Sequence, residues 1–312
     1  MAPLHPLYQN GQLAVIHAVA SPYRDRSHFD GQNLLENGTP HPGGNDGWLN
    51  RALTALKADP GASLAFNQQV PLVLQGSYAA SSWAPKGGGL DTNSDYMKRV
   101  AALYKDDSEL SPAFSEAIET QQMAAQSLSG DDLTAGKKRQ GRRPALRRGA
   151  HGLVLPRALQ RPRVAVLEAS GWDTHFRQGT TDGQLALRLG DLAKGLAAFP
   201  AGLGAAWSRT TVIVVTEFGR TVAENGTGGT DHGTGSMMLV LGGNVRGGQV
   251  LGKWQGLASG DLYQNRDLMP TTDMRSVFKT ALYTNFRAPQ AVLESSIFPG
   301  SSGAPLVSNL FV

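Results

Sequence analysis

The feature that most constrains the fold of this 312-residue chain is a set of short apolar runs, rich in β-branched residues, lying between segments whose apolar residues recur at helical spacing. Leu13–Val19, Arg163–Ala169, Thr210–Val215 and Met237–Leu241 have strand length and are bounded by turn residues, which predicts buried strands of an α/β sheet. Val70–Leu74 reads as a further short strand, and Gly87–Gly89 as a loop. Helical spacing covers about His28–Glu36, Gly47–Lys57, Asp95–Lys105, Pro112–Leu128, Gly183–Ala198 and Thr272–Tyr283, with Asp273 near the start of the last. Strands alternating with helices are the pattern of an α/β fold. The length and a hydrophobic fraction of 40% suffice for a sizeable core.

Three polar motifs carry the chemistry: Gly171-Trp172-Asp173-Thr174-His175, Thr216-Glu217-Phe218-Gly219-Arg220-Thr221 and Thr230-Asp231-His232-Gly233. The first two lie just beyond predicted strands, and ligands in open α/β sheets gather at the carboxyl ends of strands. Asp and Glu supply hard oxygen donors and His a neutral nitrogen, so the mixture suits a divalent cation such as Zn, Mn or Mg better than a thiolate-type site. Asp173 and His175 are two apart; in an extended segment they project to one side and can grip one cation. His232 is the favoured ligand of the third motif. Asp231 is either a turn residue bonding its own backbone or a partner that orients His232. Glu217 follows an apolar run where an unpaired carboxylate is costly, so a metal or Arg220 is expected beside it. Arg220 either holds a substrate oxyanion or neutralises Glu217. Ser27 is either a helix N-cap or a hydroxyl that a metal activates, and His28 a ligand or proton donor. His17, inside an apolar run, reads as a core histidine with a satisfied hydrogen bond.

Charge is unevenly placed. From Lys137 to Arg163 there are ten Lys/Arg and no Asp/Glu, which leaves 19 basic against 25 acidic residues elsewhere. The body is acidic, and a basic tract without interleaved aromatics reads as a solvated loop, with no specific nucleic-acid site; weak, salt-dependent polyanion binding is the remaining reading of Lys137–Arg148. Ser129–Pro162 has no clear period and is expected to be a long disordered surface insertion, or the product of a local reading-frame slip. No apolar run reaches membrane-spanning length. The absence of cysteine excludes disulfides, thiolate metal sites and a Cys nucleophile. Met1–Pro6 shows no basic segment leading into an apolar one, so no signal peptide is recognised.

At the three motifs, and at Ser27-His28-Phe29-Asp30, the chain resembles the bacterial DUF1501 family, placed in the alkaline phosphatase and sulfatase superfamily. The likeness extends over His5–Arg51, Val164–Gly179 and nearly all of Thr210–Pro299. The joint pattern GWDTH, TEFGRT and N-G-x-G-G-T-D-H-G is specific where any one motif alone is weak. The resemblance implies a single domain spanning residues 1–312, with a mostly parallel central sheet flanked by helices, a bimetal site at strand ends, and a Ser or Thr near a helix start that attacks a phosphate or sulfate ester. It places Asp173, His175 and His232 on one metal, Glu217 at the carboxylate of a second, and Ser27 at the nucleophile. Phe218 departs from the superfamily, which usually has His there. Family members usually carry a twin-arginine signal and a first strand ending in an aspartate. That region is not recognised here, because Asp46 in Gly43–Asn50 matches a later element. An N-terminally shortened member is expected, periplasmic if a leader precedes it and cytoplasmic as written. The expected activity is hydrolysis of a small anionic ester with a divalent cofactor (Zn, Mn, Mg or Ca). The rival is a non-catalytic binding or scaffold member, or a truncated product.

Overall fold

The computed structural model describes residues 1–84, 95–108, 110–112, 114–115, 118 and 162–312. The loop expected at Gly87–Gly89, most of the helix expected at Pro112–Leu128, the basic tract Lys137–Arg148 and nearly all of the expected insertion at 129–162 lie outside the described residues. The chain forms two compact units, one of residues 1–58, 72–78 and 171–312, the other of residues 59–71 and 79–170. In chain order the main elements are α1 (His5–Gln9), β1 (Leu13–Ala20), α2 (His28–Asn37), α3 (Trp48–Ala55), β2 (Ser63–Phe66), β3 (Ser81–Ser82) and α4 (Asp95–Tyr104). They continue with β4 (Val164–Leu167), α5 (Gln184–Ala197), β5 (Thr211–Val214), β6 (Ser236–Gly242), β7 (Gln249–Leu251), β8 (Thr272–Asp273) and α6 (Met274–Phe286). No helix among the described residues is long and apolar enough to cross a membrane.

The first unit is built on a five-stranded sheet of order β5-β6-β1-β7, with β8 also pairing β1. The sheet is mixed, which corrects the expectation of a mostly parallel one. β1 is parallel to β7 and β8, while β6 runs antiparallel to both β1 and β5. A parallel pair needs a crossover, usually helical. Between β5 and β6 the chain instead folds into irregular loops that carry two of the motifs, and it returns in the opposite sense. Leu13, Ile16 and Val19 of β1 are buried in register with Leu241, Met238 and Ser236 of β6, and the ladder breaks at Ala18, whose φ is 53°.

The helices begin and end where local chemistry directs. Asp273 caps α6 by accepting from Arg275 N at 2.9 Å, as its place at the predicted start suggested. Gly38 ends α2 in the left-handed conformation, with its N–H on Leu34 O. Trp48 of α3 stacks on Phe278 of α6 at 4.6 Å, and Phe298 lies 5.2 Å from the same indole. Asp46 pairs with Arg51 at 2.7 Å, so this carboxylate braces the start of α3. Leu72–Leu74 is a 3-10 turn, where a strand was expected from Val70–Leu74. Pro71 cannot donate to a ladder, and the turn still buries Val73 and Leu74.

In the second unit β2 is flanked by β3 and β4, parallel to both. β4 therefore belongs to a different sheet from β5. Its residues alternate between half-buried and exposed, so it is not the fully buried strand its composition predicted.

Candidate metal centre

The motif after β5 and the motif before β6 fold against each other as a short ribbon. Arg220 and His232 form an isolated antiparallel bridge, Gly233 N donates to Gly219 O at 2.7 Å, and Thr221 N donates to Asp231 O at 2.9 Å. Two glycines permit this close approach. A Cβ at Gly233 would stand 2.5 Å from the Arg220 carbonyl, and one at Gly229 would stand 2.3 Å from that of His175. Backbone thus packs on backbone, and His175, Arg220 and His232 are carried on segments held in register.

Four side chains converge. Asp173 Oδ1 lies 2.8 Å from His175 Nε2 and 3.0 Å from His232 Nε2, while Oδ2 lies 3.4 Å from His28 Nε2. The two Nε2 atoms of His175 and His232 are 3.0 Å apart. His28, Asp173 and His232 form a group able to hold a metal ion, each offering one ligand atom within 4.8 Å of the others. His28 enters as the first residue of α2, behind Ser27 at the N-cap position.

Each imidazole is tied from behind at Nδ1. His28 Nδ1 faces Glu217 Oε1 at 2.7 Å, His175 Nδ1 faces Asp231 Oδ1 at 3.1 Å, and His232 Nδ1 faces the Arg26 carbonyl at 2.9 Å. Ionised carboxylates and a carbonyl only accept, which assigns the proton to Nδ1 in all three rings. In the neutral rings the three Nε2 lone pairs then point at one carboxylate. The Arg220 guanidinium offsets the charge of that carboxylate, but the facing Nε2 lone pairs of His175 and His232, 3.0 Å apart, repel each other unless a cation or a proton lies between them. Donors about 2.0–2.1 Å from a tetrahedral ion stand about 3.3 Å apart, so the observed spacings fit a small divalent ion. Carboxylates and carbonyls behind metal-binding histidines serve the same orienting purpose.

Glu217 and Asp231 therefore stand behind imidazoles, and Asp231 orients His175 where His232 was the expected partner. Glu217 Oε2 also accepts from the Thr216 hydroxyl at 2.7 Å. Burial raises the Glu217 carboxyl, but the Thr216 hydroxyl, its own N–H and His28 together hold it below the usual range. Arg220 pairs with Asp173 at 2.5 Å and donates to Thr230 Oγ1 at 3.0 Å and to the Thr230 carbonyl. Its Nη1 thus neutralises Asp173. Burial works to raise the Asp173 carboxyl, yet the hydrogen bond from Arg220, joined in the metal-free chain by His232 and His175 whenever their rings carry a second proton, brings it to about 2. The side chains of Asp173 and His175 are 44% and 41% exposed, so the centre is open to a ligand from solvent.

Ser27 makes no side-chain capping bond. His17 lies on β1 as expected, but its buried Nδ1 lacks the expected hydrogen-bond partner among the described residues, and its ring meets Trp254 edge-on at 5.5 Å. Phe218 lies against the rings of His28 and His232 at 4.9 and 4.8 Å. This residue is a buried apolar wall of the cluster. Asn225 and Gln178 are among the supporting residues that escaped the sequence reading. Asn225 Nδ2 donates to both Asp231 Oδ1 and the His175 carbonyl at 3.0 Å, and Gln178 Oε1 accepts from the Thr174 and Thr230 hydroxyls at 2.7 Å. Asn225 opens the quoted N-G-x-G-G-T-D-H-G pattern, so its place there was the available signal.

The fold and the cluster define an α/β protein with a candidate metal centre of histidines and one carboxylate. Residues 14–297 match the family described as Protein of unknown function (DUF1501), and the chain belongs to that family. No curated protein and no solved structure matches it.

Proposed function

We propose that this chain is a divalent-metal-dependent hydrolase of phosphate or sulfate esters, of the alkaline phosphatase and sulfatase type. The observation that carries the reading is the convergence of three Nδ1-anchored imidazoles on Asp173. His28, Asp173 and His232 would hold the ion, with His175 Nε2 beside them at 3.0 Å from that of His232, and a donor set with this much nitrogen favours Zn over Mg or Ca. Bound there, the cation supplies Lewis-acid polarisation of an ester oxygen and a lowered pKa for the attacking oxygen.

The chain's own residues do the rest. Glu217, Asp231 and the Arg26 carbonyl keep the three imidazoles oriented, and Arg220 offsets the charge of Asp173. Ser27 sits between Arg26, whose carbonyl bonds His232, and His28, whose ring belongs to the cluster. Its hydroxyl is the candidate nucleophile, free of the capping bond and at the head of α2, where unpaired N–H groups favour an anion. Turnover of chromogenic phosphate and sulfate esters after loading with Zn, Mn, Mg or Ca tests the reading. Hydrolysis lost in Ser27→Ala supports it. Metal uptake with no turnover would instead make the chain a non-catalytic member of its family.

A further inference from the structure

Asp267 is a completely buried carboxylate whose bonds lie outside the cluster. Its Oδ2 accepts from Arg26 Nε at 2.7 Å and from the Thr234 hydroxyl at 2.7 Å, and its Oδ1 accepts from Arg266 Nη1 at 3.0 Å. Its backbone bridges Thr221, the residue after Arg220. The two Oδ2 partners flank one imidazole. Thr234 lies two residues beyond His232, and Arg26 supplies the carbonyl that takes the proton of His232 Nδ1. Arg26 holds a φ of 62°, a left-handed conformation that is strained for a residue with a Cβ. Something must hold it there. Its side chain is gripped by Asp267 and by Gln264 Oε1 at 2.7 Å.

We propose that Asp267 is a positioning residue for His232. By holding Arg26 on one side and Thr234 on the other, it fixes the carbonyl that keeps the His232 proton on Nδ1 and leaves Nε2 bare toward Asp173. Without that grip, Arg26 relaxes to negative φ and its carbonyl turns away. The proton then moves to Nε2, where Asp173 Oδ1 at 3.0 Å accepts it and competes with any cation.

The effect on metal affinity presupposes the metal centre proposed above; the effect on the tautomer does not. In the metal-free, histidine-labelled chain at mildly alkaline pH, long-range proton–nitrogen spectra should show His232 as the Nδ1–H form in wild type. Asp267→Asn should show a mixture or the Nε2–H form, and Zn binding measured by chelator competition should weaken about 10- to 100-fold. A His232 spectrum unchanged in Asp267→Asn overturns the assignment. If that variant does not fold, Thr234→Val and Arg26→Lys decide the matter, since each removes one strand of the grip and should shift the same signal. A wild-type chain that binds no Zn refutes the metal centre alone, and the tautomer spectra then decide the role of Asp267.

Discussion

Lys279 offers a quantitative test of how the first unit is held together. It sits in the middle of α6 with no exposed surface, and its Nζ donates to the Ser301 carbonyl at 2.8 Å and to Glu294 Oε1 at 3.3 Å. Ser301 is itself fully buried, although its carbonyl also accepts from Ala304 N. Losing the lysine donor therefore removes one of two bonds, a cost of about 1 kcal/mol. Lys279→Ala also deletes three buried methylenes at about 0.8 kcal/mol each and leaves a space in the core. The alanine variant should lose about 3–5 kcal/mol in all, and Lys279→Met, which keeps the stem, about 1 kcal/mol. Urea unfolding followed by tryptophan fluorescence measures both. Equal stability of the two variants would refute the packing argument, and an alanine cost below about 1 kcal/mol would refute the assignment of Lys279 as a buried tie.

Three further outcomes are expected. Gly233→Ala should cost about 1–3 kcal/mol by forcing apart the Arg220–His232 bridge, whereas Gly226→Ala, whose Cβ meets nothing within 4 Å, should be silent in thermal unfolding. Glu217→Gln keeps a hydrogen-bonding group behind His28 but removes the charge, and Zn affinity should fall about 10- to 100-fold in chelator competition. Hydrogen bonds from Gln290 and Lys279 hold the Glu294 carboxyl below its ordinary value, so its folded pKa is depressed. Its stabilising contribution is present above the unfolded value near about 4.3 and is lost as pH falls through the folded one. Melting temperatures of wild type and Glu294→Gln should therefore converge on acidification through that range.

Periodicity located most of the elements because amphipathic spacing and β-branched runs report local burial directly. It did so for β1, α2, α3, α5, β6 and α6, each within a few residues of its predicted span. Strand direction is set by what connects the strands, and the irregular link from β5 to β6 carries no periodic signal that it returns antiparallel. Likewise, β4 has strand composition, but nothing local says which sheet takes it. At the candidate centre, the motifs supplied the chemistry of Asp173, His175 and His232. The division of labour between Nε2 and Nδ1 was not legible, because Glu217, Asp231 and Arg26 meet their imidazoles across 189, 56 and 206 residues of chain. Asp267 was invisible for the same reason, being bonded to Arg26 across 241 residues.

Metal stoichiometry tests the central claim most directly. After reconstitution with Zn and removal of excess, elemental analysis of folded wild type should find metal bound to the chain, and His232→Ala should hold sharply less, because it removes the Nε2 donor at 3.0 Å from both Asp173 Oδ1 and His175 Nε2. Equal metal in the two proteins, or none in either, would contradict the assignment of this cluster as a metal centre.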